Sequence, residues 1–297
     1  MSSKVNIVMS AYNGEQYIRE QMESLLNQDY DHFEIYVRDD GSKDGTLRIL
    51  KEYEEKHGVH VIAGENKGFS ASFFDVLSAA EDGDYWSFCD QDDIWFPDKL
   101  KMAVQWLDTQ KQDKPLLSYS LSEMFDESGK NLGIQEPPKG SLCFRRAMTG
   151  TFGVGFSMVI NRQLRDEMLK CDPYRVHSHD WLAGAIALGF GKVHVNHKIC
   201  ARYRRLTSSV TRISLKKKVQ WALSMLRENG DVAERNQEYI RVFKEKLSQE
   251  KRKTAELFEN ENDSLKTRLK KVFYPKRWRP GISSELVMRF LMLIGKV

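Results

Sequence analysis

The sequence predicts an α/β fold on a parallel, doubly covered sheet. Three observations carry this. Short apolar runs of strand length alternate with longer amphipathic segments from residue 5 to residue 90. A polar loop, rich in carboxylates or amides, follows each of the four apolar runs. The composition, 41% hydrophobic and 11% aromatic over 297 residues, is enough to bury a sizeable core.

The elements follow in order. "VNIVMS" at 5–10 reads as a buried first strand. "GEQYIREQMESLLNQ" at 14–28 reads as a helix, because Ile18, Met22, Leu25 and Leu26 recur on one face. "FEIYVR" at 33–38 is the second strand. The helix at 44–58 has Asp44 as its N-cap and Gly58 as its stop. "VHVIAG" at 59–64, a helix at 68–81 and "YWSFCD" at 85–90 complete a β-α-β-α-β-α-β series, and short right-handed crossovers then make the sheet parallel. From 115 to 147 the sequence reads as irregular, with a flexible loop at 136–141. "TGTFGVGFSMVINRQL" at 149–164 reads as a glycine-marked strand feeding a helix, "HSHDWLAGAIALG" at 177–189 as a helix started near Ser178, and "KVHVN" at 192–196 as a short strand. A basic, hydroxyl-rich loop is expected at 203–212, and charged helices after 215. A domain boundary is placed near 214, separating residues 1–214 from a basic, amphipathic helical region at 215–297.

Charge divides the same way. From residue 216 onward Lys and Arg exceed Asp and Glu by nine, whereas the preceding part carries a net charge of −5. The tail, with "KKVFYPKRWRP" and the amphipathic "SELVMRFLMLIGKV", reads as an interfacial anchor at a membrane surface. Its interleaved acidic residues argue against nucleic acid as the partner. Four scattered cysteines without a CxxC pair argue against a zinc site or a disulfide framework. The N-terminus has no signal-peptide core, and no apolar run reaches transmembrane length. These features predict a cytoplasmic protein, peripheral at the inner face of the cell membrane.

The chemistry concentrates where the strands end. In open α/β sheets, ligands bind outside the carboxyl ends of the strands. Ser10–Asn13, Asp39–Ser42, Glu65–Lys67 and Asp90–Asp93 all fall there. "FCDQDDIW" at 88–95 places Asp90, Asp92 and Asp93 within four positions, a density that needs neutralising charge. A hard cation such as Mg²⁺ or Mn²⁺, held by one or two carboxylates and by substrate phosphate oxygens, supplies it. An EF-hand-type calcium loop is disfavoured because its glycine and closing glutamate are missing. "DDGSKD" at 39–44 suits hydrogen bonding to a base or ribose. Trp95 and Phe96 read as packing behind the acidic loop. His177 and His179 read as surface or acceptor-side groups, because two residues apart on a helix start they diverge.

In order and spacing, "IVMSAYNGEQYIREQMESLLNQDYDHFEIYVRDDGSKDGTLRIL", "ENKGFSASF" and "FCDQDDIWFPDKL" resemble the family-2 glycosyltransferases. The DQDDIW form is similar to the rhamnosyltransferase-like branch of bacterial surface polysaccharide synthesis. The resemblance is strong over 5–105 and weaker to about 212. It implies a GT-A fold, a nucleotide-diphospho-sugar donor, a saccharide or lipid-linked saccharide acceptor, and Mg²⁺ or Mn²⁺. It matches Ala11, Tyr12 and Asn13 to the first nucleotide-contact loop, and Asp39 and Asp40 to the acidic pair that contacts the base. Asn66 and Lys67, with Gly68, match the loop near ribose and diphosphate. The metal falls to Asp92, with Asp90 beside the ribose; Gln91 and Asp93 complete that donor-side loop. Asp180 matches the acidic motif that supplies the catalytic base, with His179 where the family usually has glutamate. Arg204 and Arg205, in the basic loop, are expected either to fold over the diphosphate or to serve at the surface or as linker.

Other classes fit less well. A nucleotidyltransferase should carry a glycine-rich, Arg-containing loop after the first strand, and "SAYNGEQ" lacks it. A dinucleotide oxidoreductase should show GxGxxG after a strand. A non-catalytic nucleotide-sugar-binding scaffold should have lost Asp90, Asp92 or Asp180, and all three are present.

Overall fold

The computed structural model describes residues 2–205, 231–259 and 263–297. The chain begins β1 (Val5–Ala11), α1 (Ile18–Leu26), β2 (Phe33–Asp39), α2 (Thr46–His57), β3 (His60–Ala63), α3 (Phe69–Ala79) and β4 (Tyr85–Cys89), as the hydrophobic periodicity predicts. Gly58 stops α2 in the left-handed conformation, at φ 70°. Asp44 does not cap α2 as a formal N-cap, but its carboxylate accepts from Thr46 N at 3.0 Å and serves the same orphan donor.

The sheet is larger and more mixed than the sequence predicts. β5 (Ile94–Trp95), α4 (Lys99–Leu107), β6 (Leu116–Asp126), β7 (Asn131–Gln135), α5 (Phe144–Ala147), β8 (Met158–Asn161), α6 (Arg162–Met168), α7 (Pro173–Val176), α8 (His179–Phe190) and β9 (Lys192–Arg205) follow. The strand order is β3-β2-β1-β4-β8-β6-β9-β5, with β7 paired to β6. The first four strands are parallel, and β8 then enters antiparallel between β4 and β6. The expectation of irregular chain from 115 is therefore corrected. "LLSYSLSEMFD" is an eleven-residue strand whose serines alternate with apolar residues. The short strand expected at 192–196 extends to Arg205, parallel to β6 with register shifts near Leu121. Tyr203, Arg204 and Arg205 are thus strand rather than loop; the rest of the expected basic loop, and the boundary expected at 214, lie outside the described residues.

Two apolar cores flank the sheet. One joins α1, α2 and α4 to β1 and β2 through Ile7, Met22, Val37 and Leu50. The other packs α3 and α8 on the opposite face through Val8, Phe73, Phe88 and Ile186. Among the described residues, four C-terminal helices follow: α9 (Asp231–Phe243), α10 (Gln249–Glu256), α11 (Leu265–Val272) and α12 (Ile282–Leu293). Tyr239, Phe243, Phe258, Trp278, Met288 and Met292 belong to that second core. The methionine-rich tail therefore splits: Met288, Leu291 and Met292 are buried, whereas Phe290 is exposed.

Candidate active site

The strand order reverses at β1, with β2 on one side and β4 on the other, so the crevice forms at their carboxyl ends. The four loops meet there and are locked to one another. Asn13, in the left-handed region at φ 48°, donates its N–H to Ser42 Oγ at 2.9 Å and accepts from Lys43 N at 2.8 Å. Gln91 reaches across from the fourth loop: its Oε1 accepts from Tyr12 N at 2.8 Å and its Nε2 donates to Tyr12 O at 3.0 Å. A Cβ on Gly14 would sit 2.4 Å from that Gln91 Oε1, so the absent side chain makes the clamp possible.

The two aspartates of "DDGS" have different surroundings. Asp40 is buried and fully engaged: it pairs with the Arg38 guanidinium and accepts from Lys67 N at 2.9 Å and Gly68 N at 3.0 Å. Asp39 Oδ2 accepts from Ser42 N at 3.1 Å, while its Oδ1 is buried with no partner among the described residues. Arg38, which the sequence reading passed over, is the organiser here. Only 2% exposed, it also donates to Glu65 O and pairs with Asp75, tying the second loop to the third. Its signal was visible as the one basic residue of "FEIYVR", at the carboxyl end of that strand-like run. Ala11 is buried and contributes backbone, its carbonyl accepting from Asp40 N. Asn66 is exposed, and the Lys67 ammonium pairs with Asp75 at 2.8 Å.

The acidic loop is supported from beneath by β9. Arg204 N donates to Asp93 Oδ1 at 3.0 Å, Arg204 Nε to Asp92 O at 2.9 Å, and its guanidinium pairs with Glu20 of α1 over the rings of Tyr17 and Phe125. Arg204 is thus seated behind the loop, 8% exposed, as the cation that holds it. Asp93 is completely buried with Oδ2 unpartnered, and burial raises its pKa well above the carboxylate range. Lys99, unmentioned by any motif, lies under the same loop, buried over the Trp95 ring at 4.4 Å. Asp90 and Asp92 remain partly accessible. Burial, then Asp92, then Asp180 push the Asp90 carboxyl up to about 7, so the structure brings Asp180 to the acidic loop.

Asp180 opens α8, which Ser178 caps. One Asp180 oxygen accepts from Ser178 Oγ and from Trp181 N at 2.6 Å, which orients the carboxylate. The expectation for His179 is corrected. It is neither at the surface nor facing an acceptor: it is 3% exposed, stacked on Phe73 at 3.7 Å and tilted against Phe88 at 4.8 Å. Neither ring nitrogen has a partner among the described residues, and burial lowers its pKa to about 4. His177 pairs with Glu234 of α9 at 2.8 Å. Trp181 is buried, its indole N–H donating to Ala147 O at 2.7 Å, so it anchors α8.

Among the described residues, no group of three or more His, Cys, Asp or Glu is arranged to hold a metal ion. The donor chemistry nonetheless fits a hard cation. Asp90 and Asp92 offer carboxylate oxygens, and burial together with the like charges of Asp92 and Asp180 raises Asp90, a cost that bound positive charge would relieve.

A sheet whose first four strands are parallel, polar loops at a switch point, and a carboxylate helix start beside an acidic loop are the arrangement of the GT-A class of transferase folds. Residues 6–167 match the model of "Glycosyl transferase family 2", and the chain belongs to that family. It is 28% identical over 210 residues to the putative teichuronic acid biosynthesis glycosyltransferase TuaG of Bacillus subtilis, covering 70% of this chain and 81% of that one. It is 36% identical over 105 residues to the dTDP-rhamnosyl transferase RfbG of Shigella flexneri, covering 33% of this chain and 36% of that one. The chain spans less than half the length of most of the curated relatives it matches. Residues 1–349 of Staphylococcus aureus TarS, solved with UDP-GlcNAc, share the fold at a TM-score of 0.55 and 19% identity, over 99% of this chain and 89% of that one.

Proposed function

We propose that the protein is an inverting glycosyltransferase that moves a sugar from a nucleoside diphosphate to a hydroxyl of a saccharide or lipid-linked saccharide in surface polysaccharide synthesis. The observation that carries this is that Asp180, held at the start of α8, acts electrostatically on Asp90 of the acidic loop. As the donor bond breaks, the anomeric carbon becomes positive and the leaving diphosphate negative. Bound at Asp92 and Asp90, Mg²⁺ or Mn²⁺ would supply positive charge against that diphosphate. Asp39, with Tyr12 and Asn13, faces the base; Asn66 and Lys67 border the ribose and diphosphate. Asp180, oriented by Ser178 and the Trp181 N–H, takes the proton of the attacking hydroxyl. Attack opposite the leaving group inverts the anomeric centre.

Likeness to RfbG supports dTDP-rhamnose as donor, and likeness to TarS supports a UDP-hexose. Calorimetric titration with dTDP, UDP and GDP, with Mn²⁺ or Mg²⁺ and again with EDTA, separates them. Cation-dependent binding of one nucleotide is expected; no binding to any of the three by folded protein would reject the reading.

A peripheral membrane role rests on a separate observation. Leu265, Leu269 and Phe273 on and beside α11, and Ile282, Leu286 and Phe290 on α12, are exposed along one stripe of each helix, Phe273 by 76%. Exposed Lys266, Lys270, Lys276 and Arg277 lie on and beside α11. Apolar stripes beside basic residues suit an anionic lipid surface. Among the described residues, no helix is long and apolar enough to cross a membrane. Phe273→Ser with Leu286→Ser should reduce sedimentation with vesicles containing phosphatidylglycerol; unchanged partitioning would reject this role.

A further inference from the structure

A second site lies where the 141–152 segment meets the turn between α11 and α12. Ser141, Arg146, Gly150, Thr151, Trp278 and Arg279 line it. Two guanidinium groups enter it from opposite partners, one from α5 and one from the C-terminal turn. Each is accommodated by a glycine. A Cβ on Gly150 would stand 2.3 Å from Arg279 Nη1, and one on Gly140 would stand 3.1 Å from Arg146 Nη1. The backbone around Arg279 is fixed: Thr149 Oγ1 donates to Trp278 O at 3.0 Å, and Arg279 N donates to Glu285 Oε2 at 2.7 Å.

Arg146 Nη1 donates to Lys139 O at 3.0 Å, but Arg146 Nε, Arg279 Nε and the Ser141 hydroxyl are all buried and none has a hydrogen-bond partner among the described residues. Ser141 itself is 4% exposed. The carboxylate acting on Arg279 is Glu285, whose oxygens also serve Arg279 N and Arg289 Nε. Burial lowers the Arg279 pKa to about 10, so it stays charged at neutral pH. Buried N–H groups left unpaired are costly, and a guanidinium presents them in a fork matched to oxyanions. The enclosed space is about 20 Å³, room for one water-sized atom. One oxygen of an anion can enter while the rest of the group stays outside.

We infer that this is an oxyanion subsite, built to hold a phosphate or carboxylate group carried by the acceptor at a distance from the reacting hydroxyl. The acceptor assignment rests on the glycosyltransferase reading; the anion chemistry does not. Leu188 also lines the site and lies eight residues after Asp180 on α8, about 12 Å along the helix axis. An anion there is too far to react and can only position, which is how binding energy from remote substrate groups serves catalysis.

The test is calorimetric titration of the full chain with inorganic phosphate and, separately, with sodium glucuronate at low ionic strength. Neither needs donor or turnover, so the result is independent of whether transfer is ever observed. Saturable binding is expected, weakened at least tenfold in Arg146→Gln and in Arg279→Lys, with near-UV circular dichroism confirming native packing. The tighter of the two probes identifies the source, a phosphate-bearing or a uronate-bearing acceptor. Lys67→Gln should leave binding unchanged. Equal affinity in parent and Arg146→Gln, a loss that follows Lys67→Gln instead, or no binding of either anion would overturn the inference.

Discussion

At the residue scale, the crevice separates carboxylates that face the ligand from carboxylates that hold the frame, though the sequence presents them alike. Asp92 and Asp180 carry distinct expectations. Asp180→Asn should keep donor affinity and lose about a hundredfold or more in turnover, the usual contribution of a positioned base. Asp92→Asn should bind donor equally with and without EDTA, whereas the parent loses affinity when the cation is removed. Near-parent turnover in the first, or a retained EDTA response in the second, would reassign the residue. His179 shows why some roles were hidden. Its spacing from His177 at a helix start suggested a surface or acceptor-side position, but the aromatic pocket that buries it comes from Phe73 and Phe88, on two elements the sequence does not connect to it. Its folded pKa, about 4 against 6.5, is depressed, so the neutral ring is stabilising above pH 6.5. That contribution is lost as pH falls toward 4, because the unfolded chain takes the proton first. The shift corresponds to about 3 kcal/mol. Denaturant titrations of His179→Phe and parent should therefore diverge between pH 6.5 and 4, the variant losing less stability; parallel curves would mean that the histidine titrates normally.

At the element scale, the four loops act as one unit because side chains of one loop bond the backbone of the next. The positions of these loops were legible, since each follows an apolar run and sits on one sheet edge. What holds them was not, because the partners are distant in sequence: Gln91 with Tyr12, Arg38 with Asp40 and Glu65, Arg204 with Asp93 and Glu20. Of the later strands, β8 and the start of β9 were legible, whereas β6 was missed for a related reason. β6 alternates serine with apolar residues but is buried on both faces, so its polar positions resembled loop. The Gln91 clamp gives a specific test. Gln91→Ala removes both bonds to Tyr12, and Gly14→Ala displaces the same amide. If both act only through the clamp, each should weaken nucleotide binding and the double variant should be no weaker than the worse single one. Additive losses in a calorimetric cycle would show separate roles. Arg38→Met leaves Asp40 charged and unpaired in the interior, an error that costs about 3–5 kcal/mol in comparable buried pairs. The denaturation midpoint should fall accordingly, and Arg38→Met with Asp40→Leu should recover part of the loss.

At the scale of the whole molecule, the basic region that composition sets apart shares its interior with the sheet. Tyr239 is completely buried, donates its hydroxyl to Ala185 O, and lies 6.2 Å from the Trp181 ring; Trp278 is buried against Phe258 and Tyr274. Gly189 has no side chain where the Tyr239 hydroxyl would be struck, at 2.1 Å. Charge could not reveal this, because net charge counts the basic residues and is silent on Tyr239, Phe243, Phe258 and Trp278, the aromatic residues that this region buries. The consequence bears on how the tail is tested. Removing residues 231–297 would strip α8 of its cover and expose Trp181, the residue directly after the proposed base. Lost vesicle binding in such a truncation would then report unfolding rather than a missing anchor. Trp278→Ala is the cleaner probe of the shared core. It should cost about 3–5 kcal/mol and lower a single cooperative transition followed at once by far-UV circular dichroism and by nucleotide binding. Two separated transitions, with nucleotide binding untouched in the first, would show instead that the C-terminal helices unfold independently of the crevice.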